Sequence, residues 1–259
     1  MKDKELFNKI ANHYAEKDFY PVSREVRKFQ IDSLMELIDP VLLEKKFDKV
    51  IEIGCGNGAN SVYLSNYYNR YYGMDFSEEL IKIANHSYGN KKTDFFCCDI
   101  KDLDKNKKYD LIICVGVLHH LPDLKEYLKN ISEIGHKGSI YAFLEPLAEN
   151  PIIQFLRYIR KKIDSTYSKS QVFFKISELQ KAFSETGFEI NKINYTGYFT
   201  PPFAEVILKP LFFFYPTVKI LILLDRLIQN KIPNKFSWDI AFIASKYQIK
   251  KKIDQVNTI

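Results

Sequence analysis

The tightest constraint on this chain is the run Val50-Ile51-Glu52-Ile53-Gly54-Cys55-Gly56-Asn57-Gly58, an apolar strand that passes directly into three alternating glycines and then a helix. Glycine there lets the backbone turn sharply and lets a ligand approach with no Cβ in the way. The helix that follows offers unpaired N–H groups at its amino end. Glu52, a carboxylate close to the strand end, is costly to bury alone, so a cationic or hydrogen-bonding group is expected beside it. Gly54, Gly56 and Ala59 also satisfy the looser G-x-G-x-x-G/A dinucleotide fingerprint, so the loop by itself does not choose a cofactor.

Around the loop, short apolar runs alternate with helical stretches, the pattern of a parallel sheet with crossover helices. Strands are predicted near 49–53, 70–74, 94–98, 110–115 and 138–144, and helices near 58–68, 77–87 and 123–134. A helix over 177–186, a strand over 187–196 opened by Gly187, and a last strand over 237–246 complete the pattern. Before residue 40, Leu6 and Ile10, then Val26, Phe29, Ile31, Leu34, Leu37 and Ile38, read as amphipathic helices. Two segments interrupt the scheme and read as insertions over the active face: 150–176, part basic and part aromatic, and 199–230, with Pro201, Pro202, Pro210, Pro216 and many large apolar side chains. At 259 residues the chain suits one α/β domain with added elements.

With 46% hydrophobic and 27% charged residues, the chain is expected to fold rather than stay disordered. Its net charge of +6 is spread along the sequence, whereas nucleic-acid binders cluster their charge, so no nucleic-acid partner is expected. Two basic clusters stand out. Arg157, Arg160, Lys161 and Lys162 could meet an anionic substrate or a lipid headgroup; Lys250, Lys251 and Lys252 read as a solvated end. Cys55, Cys97, Cys98 and Cys114 fall in or beside predicted strands without metal-binding spacing and read as small core residues, with no disulfide and no metal site expected. The amino terminus lacks the apolar stretch of a signal peptide, which leads to the expectation of a cytoplasmic protein.

The run Glu52 to Gly58 resembles the first motif of the class I, Rossmann-like S-adenosylmethionine-dependent methyltransferases. Tyr71-Tyr72-Gly73-Met74-Asp75 ends a strand in an acid that could take both ribose hydroxyls, which suits either kind of adenosine cofactor. Phe95-Phe96-Cys97-Cys98-Asp99-Ile100 ends the next strand in an acid where that family places the residue bonded to the adenine amino group; nicotinamide folds have no regular counterpart. Tyr109 to Asp123, including His119-His120-Leu121-Pro122, resembles the fourth motif. Lys137-Gly138-Ser139 is similar to the turn before the fifth strand, without its usual proline and second glycine. Ile10-Ala11-Asn12-His13-Tyr14 and the Glu145-Pro146 to Asn150-Pro151 stretch also resemble family patterns.

The resemblance implies a Rossmann-like three-layer sandwich: a seven-stranded, mostly parallel sheet with the last strand antiparallel, plus N-terminal helices and helical insertions forming a cap. Within one domain, 1–40 would be a helical lid, 41–149 the cofactor-binding core, 150–176 and 199–230 cap insertions, and 177–198 and 231–250 the last helix and strands. It implies S-adenosylmethionine as cofactor, held by Tyr14, Glu52, Gly54, Cys55, Gly56, Asn57, Gly58, Asp75, Phe76, Asp99, Ile100 and Val115.

Plainer roles stand beside these. Asp75 could cap the helix beginning Ser77-Glu78-Glu79, Asp99 could open a solvated loop, and Tyr14 could pack on the core. Arg24 and Arg27 could reach the cofactor carboxylate or only solvent. His119, His120 and Glu145 are the candidates to take a proton from a hydroxyl acceptor, although the histidine pair also suits a packing or helix-start role and Glu145 could hold the insertion.

Within 199–230 the longest uncharged run, Pro210 to Val218, falls well short of the roughly 18 residues a membrane-spanning helix needs. The segment could be a cap on an apolar acceptor pocket, a homodimer interface or a helix lying peripherally on a membrane, ranked in that order. A small amphiphilic or anionic molecule is the expected acceptor. The rivals are a nicotinamide-dependent oxidoreductase, for which no hydride-transfer site is found, and a non-catalytic adaptor that keeps the fold.

Overall fold

A computed structural model describes residues 2–164, 167–168, 170–205, 209–229 and 231–247. Val206-Ile207-Leu208 and the Lys250 to Lys252 run lie outside the described residues. The chain opens with helices α1 (Lys2–Phe19), α2 (Pro21–Met35) and α3 (Pro40–Lys45), followed by strand β1 (Phe47–Ile53) and helix α4 (Asn60–Tyr63). Strand β2 (Tyr68–Asp75), helix α5 (Glu78–Tyr88), strands β3 (Thr93–Cys97) and β4 (Tyr109–Val115), and helix α6 (Leu124–Glu133) come next. Strand β5 (Gly135–Pro146), helices α7 (Pro151–Ile163) and α8 (Ile176–Glu185), strand β6 (Phe188–Thr196), helices α9 (Pro201–Glu205) and α10 (Leu211–Ile228), and strand β7 (Asp239–Lys246) complete it.

The strands form one sheet in the order β3-β2-β1-β4-β5-β7-β6, with β7 antiparallel to both neighbours and the rest parallel. This is the expected Rossmann-like arrangement. Residues 50–53 of β1 are buried without a break, because helices cover both sheet faces. On one face Leu124, Leu128 and Ile131 of α6 and Leu179 and Phe183 of α8 pack under Ile51, Ile53, Ile112 and Phe143. On the other, Ile31, Leu34 and Met35 of α2 and Ile81 and Ala84 of α5 pack on Val50, Tyr71, Leu111 and Ile113. Strand order reverses between β1 and β4, which opens a crevice at their carboxyl ends, where open α/β sheets bind ligands.

Four expectations are corrected. The helix expected over 58–68 is a single turn, α4; the chain turns back through Leu64 and Tyr67 so that β2 can begin at Tyr68, paired with Phe47. Tyr68 also donates from its hydroxyl to the Ser61 carbonyl at 3.0 Å, tying the short turn to the strand. The 1–40 lid divides in two: α1 covers the crevice, while the apolar stripe of α2 belongs to the sheet core. Of the cysteines, Cys55 and Cys114 are core residues, but Cys97 is exposed and Cys98 half-buried, because β3 is an edge strand. Finally, the 199–230 segment lies over the crevice only in part: Pro201 and Pro202 of α9 line the cavity, whereas α10 packs on α2, where Val22, Val26, Ala204 and Val218 form a small separate core. Among the described residues no helix is long and apolar enough to cross a membrane.

Candidate active site

The β1–α4 turn is built by backbone conformation. Gly54, Gly56 and Gly58 all have positive φ, and a Cβ on Gly54 would lie 2.4 Å from Val117 Cγ2. At Gly58 a Cβ would meet the Phe95 ring at 2.7 Å, so this glycine serves helix–sheet packing and does not line the cavity. Asp75, buried at the end of β2, fastens the turn: Oδ2 accepts from the Gly56 N–H at 3.0 Å and Oδ1 from the Ser77 N–H at 2.9 Å. Burial raises the Asp75 pKa, and those two backbone donors pull it back. Asp75 is thus bonded to the cap residue rather than being the cap, and it lines the cavity. The helix cap itself is Ser77, whose hydroxyl accepts from the Leu80 N–H and donates to Asn8 of α1 at 2.7 Å.

Glu52 is fully buried and does not line the cavity. Its partners are hydrogen-bonding groups: Oε1 accepts from Asn60 Nδ2 at 2.6 Å and Oε2 from the Tyr71 hydroxyl. Burial pushes its pKa up to about 7. Cys55 and Asn57 line a small recess beside the turn, with Tyr14, Asp18 and Arg27. Asn57 Nδ2 is buried there with no hydrogen-bond partner, while its Oδ1 accepts from the Ala59 N–H.

The main cavity, about 1130 Å³, runs over the carboxyl ends of β1, β2 and β4. Gly54, Gly56, Asp75, Phe76, Asp99, Ile100, Val115 and Tyr14 all line it, as do His119 and His120. Asp99 caps the 3-10 turn that follows β3, accepting from the Lys101 N–H at 3.0 Å, and is exposed. Arg27 lines both cavity and recess; Arg24 lines neither.

Glu145 lies behind the wall. Oε1 accepts from the Val117 and Leu118 N–H groups at 2.7 and 2.8 Å, and Oε2 meets His119 Nδ1 at 2.9 Å. A carboxylate that accepts these bonds leaves the proton on Nδ1 and the lone pair on Nε2. Burial lowers the His119 pKa, so the ring is neutral at neutral pH. Both nitrogens of His120 are engaged, Nδ1 with Asp3 Oδ2 at 3.1 Å and Nε2 with the Gln171 amide at 3.3 Å. Of the pair, His119 has its Nδ1 held by Glu145, whereas both nitrogens of His120 are engaged.

Sequence reasoning missed most of the facing wall. Asp3 also accepts from the hydroxyls of Ser168 and Ser170 at 2.8 and 2.7 Å, joining α1 to the segment after α7. Phe173 stacks on His119 (5.4 Å, 15°), and Arg157 lies 3.8 Å over the same ring while donating to the Leu147 carbonyl at 2.6 Å. Gln30 donates to Asp239 at 2.8 Å, and both line the cavity. One signal was available: Asp3, Phe7, Ile10, Tyr14 and Lys17 recur at helical spacing along one face of α1.

Residues 23–193, about two-thirds of the chain, match the family model of the methyltransferase domain, and the chain belongs to that family. It is similar to malonyl-(acyl-carrier protein) O-methyltransferase of Bacillus anthracis, 30% identical over 114 residues that make up 43% of this chain and 42% of that protein. It is also similar to juvenile hormone acid O-methyltransferase of Bombyx mori, 30% identical over 149 residues, 54% of this chain and 53% of the relative. The chain thus spans about half the length of these curated relatives. A solved SAM-dependent methyltransferase of Thermotoga maritima shares the fold, with a TM-score of 0.66 at 19% identity over 94% of this chain and 99% of that one.

The residues present fit S-adenosylmethionine, the cofactor that the resemblance of the glycine turn implies. Gly56 leaves open the space a Cβ would fill, Asp75 has lone pairs left for ribose hydroxyls, and the unbonded Asn57 amide and nearby Arg27 suit the carboxylate of an amino acid moiety.

Proposed function

We propose that the protein methylates a hydroxyl oxygen of a small amphiphilic acceptor that carries an anionic group. The observation that carries this reading is the Glu145–His119 pair, a neutral imidazole held by a buried carboxylate in the wall of the same cavity as Gly54 and Asp75. S-adenosylmethionine supplies a methyl group on a sulfonium whose departure as a thioether needs no acid. The chain's own residues have to align the acceptor, exclude water and remove one proton. His119 Nε2 accepts the hydroxyl proton as the oxygen becomes nucleophilic, and Glu145 stabilises the imidazolium that forms. The α1 helix covers the cavity, with Phe7 edge-on to Phe76 and to His120. Leu156, Phe173 and Trp238 offer an apolar wall to the acceptor's body, and the buried Arg157 guanidinium gives that wall positive charge for its anionic group. That both relatives are named as O-methyltransferases supports oxygen as the acceptor atom.

The test is S-adenosylhomocysteine release in the presence of hydroxylated amphiphiles with and without an acidic group, for wild type and His119→Asn. The variant is expected to lose about a hundredfold in turnover and to keep its affinity for S-adenosylhomocysteine by calorimetry. In the wild type the acid limb of the pH–rate profile should fall below the ordinary histidine range, because burial lowers the His119 pKa and the base works neutral. Full turnover by His119→Asn, or methylation of macromolecules alone, would sink the reading.

A further inference from the structure

Helix α7 has its apolar stripe on the wrong side for a globular core. Ile152, Phe155, Leu156, Ile159 and Ile163 recur at helical spacing along one face, and that face points to solvent, with exposures from 37% at Ile159 to 79% at Ile163. The buried side of the helix is held instead by Ile153 and Arg157. Cations flank the exposed stripe on both sides: Arg160, paired with Asp164 at 3.0 Å, on one, and on the other Lys162, whose ammonium lies 4.3 Å over the exposed Tyr158 ring. The helix contains no acid. Leu156 and Ile163 belong at once to the exposed stripe and to the cavity wall, so the stripe is the rim of the cavity mouth.

We propose that α7 docks the protein on the surface of an anionic lipid bilayer, with the cavity mouth opening onto the acyl boundary from which an amphiphilic acceptor enters. An apolar face bordered by an arginine, a lysine and an aromatic ring with a polar tip is the composition of a helix lying in the membrane interface. Charge selects lipid over a second copy of the chain. A symmetric contact through α7 would bring the terminal lysines of one copy against those of the other, with no acid within either helix and Asp164, directly after it, already paired with Arg160, whereas anionic headgroups supply the counter-charge. The purpose of the docking rests on the reading of the cavity as an acceptor pocket; the docking itself is measured without turnover.

The experiment is co-sedimentation of the full chain with vesicles of phosphatidylcholine alone or with about a third phosphatidylglycerol. Variants Phe155→Asp/Ile159→Asp and Lys161→Glu/Lys162→Glu are run beside wild type; none of these positions lines the cavity. Wild type is expected to pellet with the anionic vesicles only, each double variant to bind about tenfold or more weakly, and all three to bind S-adenosylhomocysteine equally. Helix α10 has an exposed apolar stripe of its own, Phe212 (83% exposed), Phe213, Ile220, Leu223 and Leu227, so Phe212→Asp/Leu223→Asp serves as the competing variant and should keep vesicle binding. The proposal is overturned if wild type stays in the supernatant, if the α7 variants bind as wild type does, if the α10 variant alone abolishes binding, or if light scattering shows a dimer that the α7 substitutions dissolve. Vesicle binding and cofactor binding fail independently, so a lost cofactor site would be recognised as such.

Discussion

The two walls of the cavity are built on different principles. The wall formed by the β1–α4 turn, Asp75 and Asp99 is made by backbone: positive-φ glycines and carboxylates at strand ends, placed by a sheet buried on both faces. The facing wall is made of side chains, Asp3, Phe7, Arg157 and Phe173, borne on a terminal helix and an insertion and joined by long-range hydrogen bonds. A backbone-made wall tolerates few substitutions and suits an invariant ligand. A side-chain wall can be redrawn without disturbing the sheet, which suits the part of the cavity that selects an acceptor.

The largest effect should come from Gly54→Val. It puts a β-branched residue at φ 69° and a Cβ 2.4 Å from Val117, combining backbone strain with overpacking, each costing about 1–3 kcal/mol. Loss of measurable S-adenosylhomocysteine binding is expected, together with a lowered unfolding midpoint in urea. Gly138→Ala is the control: φ is also positive, at 99°, but nothing lies within 4 Å of the added Cβ, so strain alone remains and binding should persist. Equal effects at the two positions would break the distinction between a shaped turn and any left-handed glycine.

A second effect separates the walls by pH. The folded-state pKa of Glu52 is raised by burial from 4.5 to about 7, so the native protein holds a proton that the unfolded chain releases between those values. The group's contribution is fully present below pH 4.5, is lost as pH rises through about 7, and amounts to at most about 3 kcal/mol. Wild type should lose stability relative to Glu52→Gln across that window, as measured by urea unfolding at fixed pH. Parallel curves for the two proteins would show that Glu52 does not titrate there.

The same division decides what the sequence makes legible. The strand ends, the glycine turn and the acids at 75 and 99 could be read because each is local: an apolar run, a breaker and a polar residue follow one another in the chain. The false extension of the helix at 58–68 shows the limit, since the pairing of Tyr68 with Phe47 ends it for a reason that lies outside the segment. Asp3, His120, Ser168 and Gln171 meet across most of the chain, and the coil that carries two of them has no periodicity to announce it. In α7 the period was present, but a period states only that one face is apolar. Whether that face meets core or solvent depends on what else covers the sheet, and Ile153 and Arg157 rather than Ile152, Ile159 and Ile163 took the inner side.

The smallest effect concerns the join between the walls. Asp3 accepts from His120 and from two serine hydroxyls, and the hydrogen bond with His120 above all holds its carboxyl well below the usual carboxylate range. A depressed acid stabilises the fold above its unfolded value near 3.8, and that contribution disappears only as pH falls through the lower folded value, so the Asp3 carboxyl is ionised wherever the protein works. Asp3→Asn keeps the shape and removes the charge. Because α1 is also anchored by Asn8 on Ser77 and by Phe7 on Phe76, the helix should loosen rather than detach. The expected result is faster amide exchange over α1 and a rise of roughly tenfold or less in the acceptor KM with kcat nearly unchanged, since a charged hydrogen bond is worth about 1.5 kcal/mol or somewhat more and the two anchors remain. A fall in kcat at constant KM would instead place Asp3 and His120 in the chemical step, and the side-chain wall would then share in catalysis rather than only enclose the acceptor.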